Sequence, residues 1–196
     1  MSGIFINYRT VDSALGAVML DNKLVERFGR DLVFRDDRSL PMGKAFERIL
    51  WDRLQTSDVV LAVIGPHWLT EAVDGSQLIA DSNDFVHREI AKALDLNLNV
   101  VPVLVGDTRL PKPQELPQAL RRLPEYKAFS IRARNPEPDI NRLVDQLAEL
   151  PAFASLAPPE SPPQRRPTPA GEGQAVHNHV DTVRGENIVF GFQNRG

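Results

Sequence analysis

Phe85 and Glu89 stand four residues apart in the stretch Asp84-Phe85-Val86-His87-Arg88-Glu89-Ile90-Ala91-Lys92-Ala93-Leu94. The stretch reads as the start of a helix with Asn83 or Asp84 as its N-cap. Residues i and i+4 share a helix face, so the ring and the carboxylate project together. Such a pair suits a nucleotide: the ring stacks on a base or a pyridine, and the carboxylate accepts from ribose hydroxyls. Each side chain also has a plainer use, Phe85 in a core and Glu89 as a solvated charge.

A pair of this kind needs a scaffold that brings other polar groups to the same rim. Short apolar runs alternate here with amphipathic stretches, the pattern of a parallel α/β sheet. Strands are expected at Gly3–Tyr8, Leu32–Phe34, Val59–Ile64, Val100–Val105 and Lys127–Ile131. The third is apolar throughout, as a central strand covered on both faces should be. Pro102 inside the fourth is awkward for a fully paired position. A first helix is expected from Asp12 as its cap, with Leu15, Val18, Met19, Leu24, Val25 and Phe28 as its inward stripe. A second spans Gly43–Gln55, with Phe46, Ile49, Leu50 and Leu54 inward. The helix carrying Glu89 follows, then one near Pro113–Arg122 and a last one at Pro138–Leu150. Right-handed crossovers give an open, doubly wound sheet of five strands. In such sheets ligands bind beyond the carboxyl ends of the strands. Tyr8-Arg9-Thr10, Asp36-Asp37-Arg38 and Gly65-Pro66-His67-Trp68 follow the first three strands, and Glu89 follows on the next helix.

The composition bounds the rest. The chain has 196 residues, enough for one domain of about 150 residues and an appendage. A net charge of −3 gives no global field toward nucleic acid or an anionic membrane. The absence of Cys removes disulfides, thiolate nucleophiles and Cys-based zinc sites, and fits a reducing cytoplasm. No basic n-region with an apolar h-region opens the chain, and no run reaches the roughly 20 apolar residues of a membrane helix.

Five blocks in order carry a resemblance. They are Gly3-Ile4-Phe5-Ile6-Asn7-Tyr8-Arg9; Val33 to Phe46, which contains Arg35-Asp36-Asp37-Arg38-Ser39-Leu40-Pro41-Met42-Gly43; Asp58 to Leu69; the Phe85–Glu89 helix; and Val100 to Val105. Together they closely resemble a bacterial Toll/interleukin-1 receptor (TIR) domain over residues 1–150. The resemblance implies a flavodoxin-like strand order. In enzymatic members an aromatic-x-x-x-Glu motif carries the catalytic glutamate of NAD+ cleavage, and it maps onto Phe85 and Glu89. The family more often has Trp first; Phe85 keeps a stacking face but is smaller. The loop Arg38–Lys44 resembles the family's BB loop, which contacts a neighbouring domain so that the active site is completed in assemblies. Pro41 would belong to that contact, and Gly43 and Phe46 would sit near the bound nucleotide.

The implied chemistry is simple. Nicotinamide leaves a cationic pyridinium as a neutral molecule, so little acid catalysis is needed. The difficulty is positive charge on the ribose, as in glycosidases. A carboxylate fixed beside the 2′ and 3′ hydroxyls stabilises it electrostatically. Glu89 is the residue for that role, with NAD+ as substrate and with no cofactor or metal expected. Arg9 would pair with a dinucleotide phosphate or make a surface ion pair. Tyr8 would line the ribose pocket or close the sheet. Asp36 would contact a hydroxyl or anchor its loop. Trp68 would stack on the ligand or pack under a loop. His67 and His87 have no Ser or Cys partner and read as surface histidines.

Beyond Leu150 the composition changes. Seven of the sixteen prolines fall between Pro151 and Pro169, so residues 151–175 read as an extended, disordered linker. Residues 176–196 contain Asn187-Ile188-Val189-Phe190-Gly191 among β-branched, aromatic and amide residues without proline, a cross-β signature. This tail resembles the short amyloid-signalling motifs of bacterial immune effectors, with Val189 where Gln is usual. The bland alternative is a disordered tail or a strand that docks on a sheet edge.

The leading expectation is therefore a cytoplasmic NAD+ hydrolase, with a cyclising activity as a further option, in bacterial immune, antiphage or cell-death signalling. It would assemble through its TIR domain and tail, with a sensor carrying a matching motif as partner, and without nucleic acid or membrane. The alternative is a non-catalytic adaptor acting by TIR–TIR binding. A nucleoside deoxyribosyltransferase-like enzyme has no need of a fibrillising tail. A receiver domain would carry an acidic residue where Asn7-Tyr8-Arg9 stands and a phosphoacceptor Asp after strand three.

Overall fold

Ile4-Phe5-Ile6-Asn7 sends alternate side chains to opposite faces of a sheet, and both faces are covered. In the computed structural model, which describes residues 3–35, 46–69 and 77–156, β1 (Ile4–Asn7) is buried along its whole length. Around it run β2 (Val33–Arg35), β3 (Val59–Ile64), β4 (Asn99–Val105) and β5 (Phe129–Ile131), all parallel, in the order β2-β1-β3-β4-β5. This is the flavodoxin-like order expected from the sequence. The chain reverses its direction of winding between β1 and β3, which makes the carboxyl ends of these two strands the topological switch point.

One face carries α1 (Thr10–Phe28) and α4 (Glu137–Ala148). They close over Ile4, Ile6, Val59, Leu61, Val63, Val103 and Ile131. The other face carries α2 (Phe46–Gln55) and α3 (Phe85–Asp95), over Phe5, Val60, Ala62, Ile64, Val100 and Leu104. Asn7 follows Phe5 in the two-residue alternation and so faces the α3 side. Pro102 is buried in β4 one residue before the β5 ladder begins at Val103, where a missing N–H is tolerated.

Three expectations about the helices need correction. Residues 113–122 do not form a helix. Pro113–Glu115, Gln118–Leu120 and Leu123–Glu125 are separate 3-10 turns, because Pro113, Pro117 and Pro124 lack the N–H groups an α-helix would use. Their leucines 116, 120 and 123 still complete the α3-side core. On α1, Leu15 is 76% exposed and Val18 37%; the buried stripe is Ala17, Leu20, Leu24 and Phe28. Asp12 does not cap α1, which starts two residues earlier. The packed chain also runs past residue 150, since Phe153 is fully buried against Phe28, ring centroids 5.3 Å apart. The remainder of the 151–175 linker and the 176–196 tail lie outside the described residues.

α3 ends where Asn97 takes a left-handed conformation, φ 52°. Its N–H and that of Leu98 bond the carbonyls of Leu94 and Ala93, a Schellman closure. No helix among the described residues is long and apolar enough to cross a membrane.

Candidate functional site

Glu89 lies in the second turn of α3, on the face turned toward the sheet, and is fully buried. The Asn7 side chain meets it at the carboxyl end of β1. Nδ2 donates to Glu89 Oε2 at 2.6 Å and lies 3.4 Å from the Val86 carbonyl oxygen. The first distance is that of a charge-assisted hydrogen bond. Asn7 is itself fully buried and stands opposite Ala62 of β3, so the contact sits at the switch point between β1 and β3.

The start of α3 is pinned to the same strand end. Arg9 gives Nη1 and Nη2 to the two carboxylate oxygens of Asp84 at 3.0 and 2.9 Å. Arg9 is 7% and Asp84 13% exposed, so this planar, two-bond pair is largely desolvated. Asp84 is also the N-cap of α3, accepting from the His87 N–H at 3.0 Å. One carboxylate therefore satisfies a helix terminus and anchors it to Arg9, two residues past β1.

Phe85 is half-buried against the α3-side core. The Arg88 guanidinium lies 5.1 Å from its ring centroid and equally far from that of Trp51 on α2, and reaches Glu47 at 3.3 Å. A groove of about 540 Å³ between α2 and α3 is lined by Trp51, His87, Arg88 and Lys92. Glu89 is not among its lining residues, so this groove and the buried carboxylate occupy different faces of α3.

The loop after β3 is held from α1. Asp12 accepts from Gly65 N–H at 2.8 Å and from His67 N–H at 2.7 Å. A Cβ on Gly65 would lie 2.5 Å from Asp12 Oδ2, so only glycine admits so close an approach. The loop turns Trp68 into the core, where it is 1% exposed. Tyr8 packs against the opposite, α1-side core.

The structure thus brings Asn7, Arg9, Asp84, Phe85 and Glu89 together at one strand end. Tyr8 is set on the other face of the sheet, Trp68 is packed under its loop, and Arg9 is bound to Asp84. Asp36, Pro41 and Gly43 lie outside the described residues, as do the Phe46 side chain and residues 187–191. His67 is exposed as expected, but His87 is only 8% exposed. Its Nδ1 lies 2.7 Å from the Ile79 carbonyl oxygen. A carbonyl only accepts, so Nδ1 carries a proton there. Among the described residues no group of three or more His, Asp or Glu side chains is placed to hold a metal ion.

Sequence reasoning missed Asn7 and Asp12. The signal for Asn7 was an amide closing an apolar strand in phase with Phe5, on the face that α3 covers. Nothing local marks Asp12, whose partners are more than fifty residues away.

Residues 4–144 match the family model described as TIR domain. The curated Drosophila melanogaster protein named NAD(+) hydrolase sarm1 is 28% identical over 127 residues, 65% of this chain; the match spans 9% of that protein's length. Among solved structures, the TIR domains of the activated Roq1 resistosome directly recognizing the pathogen effector XopQ align with a TM-score of 0.53. The identity there is 17%, over 74% of this chain and 98% of the Roq1 chain. This second likeness speaks for the fold.

Proposed function

The chain belongs to the TIR domain family, and from that membership we propose that it cleaves the nicotinamide–ribose bond of NAD+, with Glu89 as the catalytic carboxylate. The observation that carries this reading is the carboxylate itself. It is fully buried at the switch point of a doubly wound sheet and bonded there to a strand-end amide. A buried, ionised group is costly unless the fold supplies donors for it. The relative named as an NAD+ hydrolase supports the same chemistry.

In the proposed reaction the Glu89 carboxylate accepts from the ribose hydroxyls. The C1′–N bond breaks with both electrons passing to nicotinamide, and the positive charge left on the sugar is stabilised by the fixed anion. Water adds at C1′ and gives up a proton, yielding ADP-ribose; attack by an internal nucleophile instead would give a cyclic isomer. The binding roles of Arg9, Asp36, Gly43, Phe46 and Phe85 and the assembly roles of Pro41 and residues 187–191 belong to this proposal, while Tyr8 and Trp68 enter it through packing. Arg9 enters it as the clamp on Asp84, one step removed from any phosphate.

Glu89 is closed to solvent, so a ribose reaches it only after the rim opens. Assembly is the proposed cause. A homotypic tail stack would raise tethered domains to an effective concentration on the order of millimolar. Weak domain contacts would then form and open the site, within bacterial immune or cell-death signalling.

The same burial gives the second reading its footing: a carboxylate sealed inside the fold also serves a non-catalytic adaptor as an internal acceptor. Nicotinamide release from NAD+ by full-length protein, soluble and fibrillised, beside Glu89→Gln separates the two. We expect release in assembled preparations and a fall of at least about 100-fold in the variant. No release from well-formed fibrils would establish the adaptor.

A further inference from the structure

We propose that Asn7 is a positioning residue that holds the Glu89 carboxylate ionised and fixed in orientation for bond cleavage. The inference rests on the NAD+-cleaving reading above and adds to it a residue on a different element.

The argument starts from the cost of the amide. Asn7 is fully buried in a strand whose neighbours Ile4, Phe5 and Ile6 are apolar and fully buried too. The β-ladder is made by the backbone, so it makes no use of the side chain. A buried amide is disfavoured unless bonded, and an aliphatic residue would fill the position without that penalty. What the amide gains is two acceptors on α3, Glu89 Oε2 at 2.6 Å and the Val86 carbonyl oxygen at 3.4 Å. The orientation is fixed by chemistry: turning the amide over would set its oxygen against two acceptors. A donor at this distance favours the charged form of a carboxylate. Holding Oε2 also stops rotation of the carboxylate, so the anion meets the ribose in one geometry.

Other charged and titratable groups flank this pair. On the β1 side Arg9 is bound to Asp84. On α3, Arg88 lies over Phe85 and reaches Glu47 of α2, and His87 bonds Ile79. Tyr8 packs on the opposite face of the sheet. Asn7 thus supplies Glu89 with a donor from β1.

The test is Asn7→Asp, nearly the same shape with an acceptor in place of the donor. Two carboxylates at this separation cannot both ionise, and they titrate as a pair. Nicotinamide release by full-length assembled protein is followed from pH 4 to 9 with kcat and KM separated. In parallel, the Glu89 carboxylate is titrated by carbon NMR. The expected result is an acid limb moved up by about one to two pH units. With it should come at least a tenfold loss of kcat at neutral pH, KM within about threefold, and a matching upward move of the Glu89 titration. Asn7→Asp/Glu89→Gln controls for folding. It restores a donor–acceptor pair with the roles exchanged, so its melting temperature should return toward wild type while activity stays lost.

An Asn7→Asp enzyme with the wild-type acid limb and kcat would overturn the proposal while leaving the NAD+ reading intact. If Asn7→Asp does not fold, Asn7→Ala decides by the same limb. An upward shift supports the role, and a loss of kcat with no shift reduces Asn7 to a packing residue. Wild-type protein that leaves NAD+ untouched, with the two titrations still coupled, would overturn the function and with it the positioning role. Asn7 would then be only a structural partner of a buried acid.

Discussion

Arg9 shows how a residue read from spacing as a ligand contact acquires a different task. Its guanidinium is bound through two nitrogens to Asp84, 75 residues away, and Asp84 caps α3 with the same carboxylate. Removing Asp84 should therefore cost twice, a lost cap and an unpaired buried cation. For Asp84→Ala we expect about 3–5 kcal/mol of destabilisation in urea melts. Asp84→Asn keeps the acceptor for the His87 N–H and should cost less, roughly 1–3 kcal/mol. Equal losses in the two variants would show that the cap contributes nothing. At this scale the sequence carries side-chain type and local spacing well. Phe85 and Glu89 share a helix, and Asp84 is one of the two caps expected. It does not carry partners across long separations. The Asn7–Glu89 and Arg9–Asp84 contacts exist only because β1 and α3 are packed together, and no pattern within either segment specifies the other.

At the scale of elements, α1 shows where periodicity is ambiguous. Two stripes on this helix have helical spacing. Ala17, Leu20, Leu24 and Phe28 are buried, whereas Val11, Leu15 and Val18 are 79%, 76% and 37% exposed. Residue types alone cannot say which stripe meets the sheet, because both are apolar. Leu24→Ala should destabilise by about 2–5 kcal/mol, as a fully buried leucine lost from a core does. Leu15→Ala should stay within about 0.5 kcal/mol of wild type, since it gives up little burial. Thermal melts of the two variants check this, and a large loss at Leu15 would mean that its face is covered. The region of residues 113–125 fails for a different reason. Its leucines recur at intervals that suit a helix and are indeed buried, but its prolines divide the backbone into 3-10 turns. Hydrophobic period fixed which residues go inside, and hydrogen-bond chemistry decided the backbone that takes them there.

For the whole molecule, the class of fold was the most legible feature. Apolar strands such as Val59–Ile64 can be satisfied only by cover on both faces, and right-handed crossovers leave few orders for five parallel strands. Less visible was a set of local ion pairs, six and seven residues apart, and these govern the response to acid. Arg109 binds Glu115 through both terminal guanidinium nitrogens, and the Lys112 N–H donates to the same carboxylate. The Arg109 hydrogen bonds, then that of Lys112, lower the Glu115 pKa to about 2. Arg132 likewise holds Asp139 below the usual carboxylate range, through its side chain first and its backbone N–H second. Both acids are more acidic folded than unfolded. Their contribution is complete above the unfolded carboxylate range and is lost as pH falls through the folded values. The melting temperature should therefore hold steady from neutral pH down to about 5 and fall between about pH 4.5 and 2. Glu115→Gln should lower the neutral-pH plateau and flatten the fall, because the variant has one fewer proton to take up on unfolding. The Arg109–Glu115 pair is exposed enough for salt to screen it, so the difference between Glu115→Gln and wild type should shrink in about 1 M salt. Parallel acid profiles of equal slope for variant and wild type would show that these carboxylates titrate alike in the folded and unfolded chain. The acid sensitivity would then have to come from buried groups, with Glu89 the first to examine.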